Sequence, residues 1–215
     1  MTTASLALRM RDRVPAQAVL QAALAAPSAD LLRAAETQRQ VAALLAHLPA
    51  GWTVLHSLPR QDADGAVDHL AIGPAGVFPI ADVGGPGRRL VVRGRVLAIG
   101  RRRSPAVLTA EADAERVGRL LAAHRLGVVP VHPTVVVQGA LRLRVVDRPR
   151  GVAVVPASAL RARLVGRPAV LEPEDVAAAV DLLDSPARWG DAPDAPADLL
   201  QRYSELEAQG RGARR

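Results

Sequence analysis

The residue whose type and setting point most directly to chemistry is Asp68. It stands in the run Val67-Asp68-His69-Leu70-Ala71-Ile72, among strand-forming apolar residues. A carboxylate is costly to bury alone, so one in such a run takes a partner, a metal ion or an exposed position. Other chemistries are poorly served. With no cysteine there is no disulfide, no thiolate metal site and no cysteine nucleophile. The chain has no lysine, so all 28 basic side chains are arginine. His47, His56, His69, His124 and His132 show no tight ligand spacing, and no G-x-S-x-G elbow is present. Gly84-Gly85-Pro86-Gly87 lacks the lysine and the serine or threonine of a phosphate-binding loop.

The elements around Asp68 read as two strands joined by a tight turn. Val67, Leu70 and Ile72 form the first run, Gly73-Pro74-Ala75-Gly76 turns the chain, and Val77, Phe78 and Ile80 form the second. Pro79 has no N–H for a ladder bond, which predicts an irregular second strand. Asp30 to Leu48 has helical apolar spacing, with Ser28 or Asp30 as cap and Pro49-Ala50-Gly51 as stop. Val14 to Leu24 reads as a short helix and Gly51 to Pro59 as a strand, with Trp52 a core anchor. Arg60 to Gly65 reads as a polar loop in which Asp62 and Asp64 are solvated. Downstream come a hairpin around Arg93-Gly94-Arg95, a helix over Thr109 to Arg125 and an apolar strand over Val131 to Gln138. Strands over Leu141 to Val146 and Gly151 to Val155 follow. Helices are predicted over Ser158 to Leu164, Pro173 to Asp184 and Leu199 to Leu206.

At 215 residues, 49% of them hydrophobic, the chain can bury a sizeable core, and disorder is disfavoured. Aromatic residues are 2%, so that core is built from Val, Leu, Ile and Ala. No apolar run reaches the roughly 18–20 residues that span a bilayer. No clean apolar segment follows Arg9, Arg11 and Arg13, so the cytoplasm is the expected compartment. A net charge of +7 permits association with an acidic polymer. The exclusive use of arginine beside abundant Ala, Gly, Pro and Val also reads as a codon-usage bias.

Val67-Asp68-His69-Leu70-Ala71-Ile72-Gly73-Pro74-Ala75-Gly76-Val77-Phe78 resembles the core motif of the nuclease-related domain (NERD) family. The resemblance covers about Asp30 to Ser185. It implies an α/β fold with a restriction-endonuclease-like core (helix, antiparallel strands, helix, strand). It divides the chain into an N-terminal extension (1–29), a NERD-like domain (30–185) and a C-terminal tail with a short helix (186–215). Metal-dependent phosphodiester cleavage in such a fold needs carboxylates to hold Mg²⁺ or Mn²⁺ and a lysine nearby. An acid and a lysine two apart on one strand face the same side. The family's positions correspond here to Gln38, Asp68, Ala81 and Val83, so Asp68 alone keeps its functional group.

Two readings follow from the resemblance. The first is a catalytically inactive nuclease-related protein needing no cofactor. It retains weak nucleic-acid or protein binding, with Arg88, Arg89, Arg101, Arg102 and Arg103 as a basic rim. The second is a DNA nuclease with a relocated site that holds Mg²⁺ or Mn²⁺ through Asp68 and Asp82, with an arginine such as Arg88 beside it. Asp82 is one residue out of phase with Ala81 and Val83, so in a regular strand it faces the other way. The second reading therefore asks for a bulge near Pro79 to re-aim it.

Overall fold

The computed structural model describes residues 9–60, 65–190 and 196–212. Asp62 and Asp64 lie outside them. Helix α1 (Gln17–Ala25) is followed by α2 (Ala29–Leu45), which starts where Ser28 Oγ accepts the Leu31 N–H at 3.2 Å. Strands β1 (Thr53–Pro59), β2 (Ala66–Gly73) and β3 (Gly76–Gly84) form an antiparallel meander. Then come β4 (Arg89–Arg93), β5 (Val96–Ile99), β6 (Arg102–Ser104), α3 (Ala106–Ala123) and β7 (Thr134–Gln138). The described chain closes with β8 (Arg142–Asp147), β9 (Ala153–Pro156), α4 (Leu160–Val165), α5 (Pro173–Leu183) and α6 (Leu199–Gly212).

The fold is mixed α/β. Five strands form the main sheet in the order β1-β2-β3-β7-β9, antiparallel through β3 and parallel beyond it. Four strands form a second sheet in the order β6-β5-β4-β8. On one face of the main sheet, Val41 and Leu45 of α2 and Leu160 and Leu164 of α4 cover Ala71, Phe78, Ile80 and Val136. On the other, Val117 and Leu121 of α3 and Ala179, Val180 and Leu183 of α5 cover Leu55, Leu70, Ile72 and Val77. The first half of α3 puts Val107 and Ala110 among Ala81, Val83 and Val135 of the main sheet and Leu90, Val92 and Leu97 of the second. α1 and α6 pack on α2 through Leu20, Ala35, Leu199 and Tyr203. The core is aliphatic, as the composition predicts.

The β2–β3 turn owes its glycines to close approach. A Cβ on Gly73 would lie 2.3 Å from the Trp52 ring, which packs tilted on Phe78 with centroids 5.6 Å apart. Gly76 has φ +119°, and a Cβ there would lie 2.5 Å from the Pro130 carbonyl oxygen, to which the Val77 N–H donates at 2.9 Å. Gly76→Ala is therefore expected to cost about 2–3 kcal/mol, read as a lowered urea midpoint at unchanged slope.

Pro79 does not disturb β3, contrary to the sequence expectation. The β2–β3 register runs without a break from Gly73↔Gly76 through Leu70↔Pro79 to His69↔Ile80. The parallel ladder to β7 starts at Ile80↔Thr134, and a lone bridge joins Val77 to Val131. The proline thus falls where β7 asks for no N–H. The third helix starts earlier than Thr109, at Ala106, where Pro105 supplies a fixed φ of −77° and Ser104 Oγ accepts the Ala106 N–H. The strand after it is confined to Thr134–Gln138 and lies between β3 and β9. Among the described residues, no helix is long and apolar enough to cross a membrane.

Candidate functional site

β2 and β3 pair as far as His69↔Ile80, and the Asp68 carboxylate takes the place of the next ladder contact. Its Oδ2 accepts the Asp82 backbone N–H at 2.9 Å, and its Oδ1 accepts from Gln38 Nε2 at 2.6 Å. Gln38 arrives on the buried face of α2, one residue after Thr37. Thr37 sits so close to Gly84 that a Cβ there would lie 2.4 Å from its Oγ1. Helix α2 is therefore held tightly against the end of β3, and that contact sets the reach of Gln38.

Strand alternation holds in β3. Ala81 and Val83 point into the core shared with α3, while Asp82 lies on the same side as Ile80, toward α2. The relocated-site reading asked for a bulge at Pro79, and none exists. Asp68 reaches Asp82 through its main-chain N–H, and the side chain of Asp82 is used elsewhere. Its Oδ2 lies 2.8 Å from His69 Nε2, and His69 Nδ1 lies 2.7 Å from His56 Nδ1. The side chains of His69 and Asp82 are 0% and 2% exposed.

Burial dominates the protonation of this chain. Burial, and then the charge of Asp82, push the Asp68 carboxyl up to about 7. Burial raises Asp82 well above the ordinary carboxylate range. Burial lowers His69 to about 4, and burial together with His69 lowers His56 to about 3. The favoured state is uncharged: Asp82 donates a proton to His69 Nε2, and His69 Nδ1–H donates to His56 Nδ1. This also eases the position of Asp82 Oδ1, which is buried with no hydrogen-bond partner, because a neutral carbonyl oxygen costs less to leave bare than a carboxylate oxygen.

The Asp82 N–H bond, then His69 and then Arg60 lower the pKa of Asp68 against the larger effect of burial. Arg60 is clamped bidentately by Asp113 of α3, with Nε–Oδ1 and Nη2–Oδ2 both at 2.8 Å. The donor set does not fit a hard divalent ion. Both Asp68 oxygens already accept hydrogen bonds, and Asp82 offers one open oxygen. Among the described residues, no group of three or more ligating side chains converges.

Arg88, Arg89 and Arg101 to Arg103 are all exposed on or beside the second sheet. Parallel pairing of β4 with β8 sets Arg142 beside Arg89 and Arg144 beside Val91, extending the basic face by two residues that sequence reading missed. Among the described residues, the acidic partner of Arg102 is Asp30, at 3.7 Å. The His56–His69 contact was also missed. Its signal is the β1–β2 register, in which His56 stands opposite His69. Comparison with family models, curated proteins and solved structures finds no match.

Proposed function

We propose that the chain is a nuclease-related domain, on a restriction-endonuclease-like core, that has lost metal-dependent turnover and keeps a polyanion-binding surface. The observation that carries this reading is the closed state of Asp68, whose two oxygens are taken by Gln38 and by the Asp82 N–H. The motif from Val67 to Phe78 and the order α2, β1–β3, α3, β7 support the family assignment. Ala81 and Val83, buried against α3, carry no group that binds a metal or a developing negative charge. The outward arginines of the second sheet support binding of a nucleic-acid backbone, because like charges set side by side in a sheet are stabilised by an anion laid across them. A protein partner with an acidic face is the other occupant of that surface.

A second reading rests on Asp82 Oδ1, the one open carboxylate oxygen of the cluster. If the side chains rearrange to admit Mg²⁺ or Mn²⁺, Asp68 and Asp82 are its first ligands. Supercoiled plasmid incubated with either ion separates the two readings. Wild type, Asp68→Ala and Asp68→Asn are all expected to leave the plasmid intact. Nicking by the wild type that both variants lose would overturn the inactive reading and establish the second.

A further inference from the structure

Three strands away from β2, at the other edge of the main sheet, lies a cleft of about 560 Å³. It is bounded by the edge strand β9, the turn between β8 and β9, and α4 with the residues after it. Arg148, Arg163, Arg167 and His132 line it, with Pro149 and Val155 on its apolar wall, and among the described residues no acidic side chain lines it. None of the three arginines forms an ion pair among the described residues. Arg163 Nε is buried without a hydrogen-bond partner. Burial and then Arg167 lower the pKa of Arg163, and burial followed by Arg167 acts on His132 in the same direction. His132 is held in place by its ring contact with Phe78 at 4.9 Å and by its Nε2 at 3.2 Å from the Ala75 carbonyl oxygen.

Converging guanidinium groups without a counterion are unfavourable, and a half-buried donor with no acceptor adds to that cost. An anion removes both penalties. Guanidinium forks match phosphate oxygens bidentately, so a phosphate suits this set better than a halide or a lone carboxylate. The volume lies in the range of small-molecule sites and exceeds what inorganic phosphate fills, and the apolar wall offers a surface for an organic group. As the edge strand, β9 adds a row of main-chain groups without ladder partners.

We propose that this cleft binds a small organic phosphate of mononucleotide size, with Arg148, Arg163 and Arg167 holding the phosphate and the Pro149–Val155 wall taking the organic part. The site is separate from Asp68 and stands whether or not the nuclease-related reading does. Calorimetric titration of the whole protein with AMP, adenosine, inorganic phosphate and a 5′-phosphorylated oligonucleotide tests it. AMP is expected to bind saturably in 150 mM salt, adenosine not to bind, and inorganic phosphate to bind more weakly than AMP. Arg163→Gln and Arg167→Gln are each expected to weaken AMP at least tenfold, whereas Arg161→Gln, outside the cleft, leaves it unchanged. Thermal melts without ligand should show both cleft variants at least as stable as the wild type, since each removes an uncompensated charge. No saturable AMP binding, or binding undiminished in Arg163→Gln, would overturn the proposal. Binding of the oligonucleotide with none of AMP would also overturn it, and would assign the cleft to a strand end.

Discussion

Asp68→Asn is expected to stabilise the protein at pH 8 and to leave it nearly unchanged at pH 4. In the folded protein the Asp68 carboxyl is raised from 3.8 to about 7, first by burial and then by Asp82. A carboxyl raised on folding favours the protonated form. Its stabilising contribution is complete below the unfolded value near 4 and is lost as pH rises through about 7. Asparagine copies the shape of the protonated acid and has no proton to lose. Its carbonyl accepts the Asp82 N–H, and its amide pairs with Gln38 once that amide turns over. The rise from 3.8 to about 7 sets the gain at about 4 kcal/mol above pH 8, as an upper figure because part of that rise is assigned to a charge on Asp82, which its own burial disfavours. His56 and His69 act in the opposite sense. Their lowered values give stability that is present above about 6.5 and lost as pH falls toward 4, but they are common to both proteins. Urea midpoints of the two proteins from pH 4 to 9 should converge at the acid end and diverge above pH 6. Parallel profiles would sink the account of Asp68 as a carboxyl kept neutral by its surroundings.

His69→Leu is expected to cost about 2–4 kcal/mol, because it strips both a buried neutral acid and His56 of their shared partner. Asp82 Oδ1 already has no hydrogen bond, and without His69 the Oδ2 atom loses its own. His56 Nδ1 is orphaned in the same step. The double variant His69→Leu/Asp82→Leu should recover part of the loss, since it removes the stranded acid and leaves His56 Nδ1 as the one group of this chain without its partner. Chemical denaturation of the wild type, the two single variants and the double variant measures the coupling directly. A double variant as unstable as His69→Leu would mean that the stranded acid does not set the cost, leaving it to lost volume and the unpaired His56.

Local periodicity in the sequence determined much of the scaffold. The apolar spacing of Leu31 to Leu45 marks α2, and Ser28 marks its first turn. The alternation around Gly73-Pro74-Ala75-Gly76 marks the β2–β3 hairpin, because a tight turn and a pleated strand are both encoded by neighbouring residues. Asp68 was legible as a carboxylate in need of a partner. Gln38 was singled out only through the resemblance, and its hydrogen bond to Asp68, from a helix 30 residues upstream, is a tertiary contact.

Tertiary structure decided how these residues are used. Pro79 reads as a strand breaker until β7 is seen to begin its ladder at Thr134, a non-local fact. Asp82 reads as facing away from Asp68, yet its main-chain N–H, which strand alternation does not describe, makes the contact. β6 has an arginine-rich sequence with no apolar alternation and forms because β5 offers it an edge. Arg142 stands beside Arg89 only because a parallel connection returns β8 to β4. The cleft joins Arg148, Arg163 and Arg167 across a turn, a helix and the chain after it. Protonation is the clearest case. Asp, His and His carry their ordinary charges in a sequence, and burial between α2 and the main sheet makes the neutral chain from Asp82 to His56 the stable one.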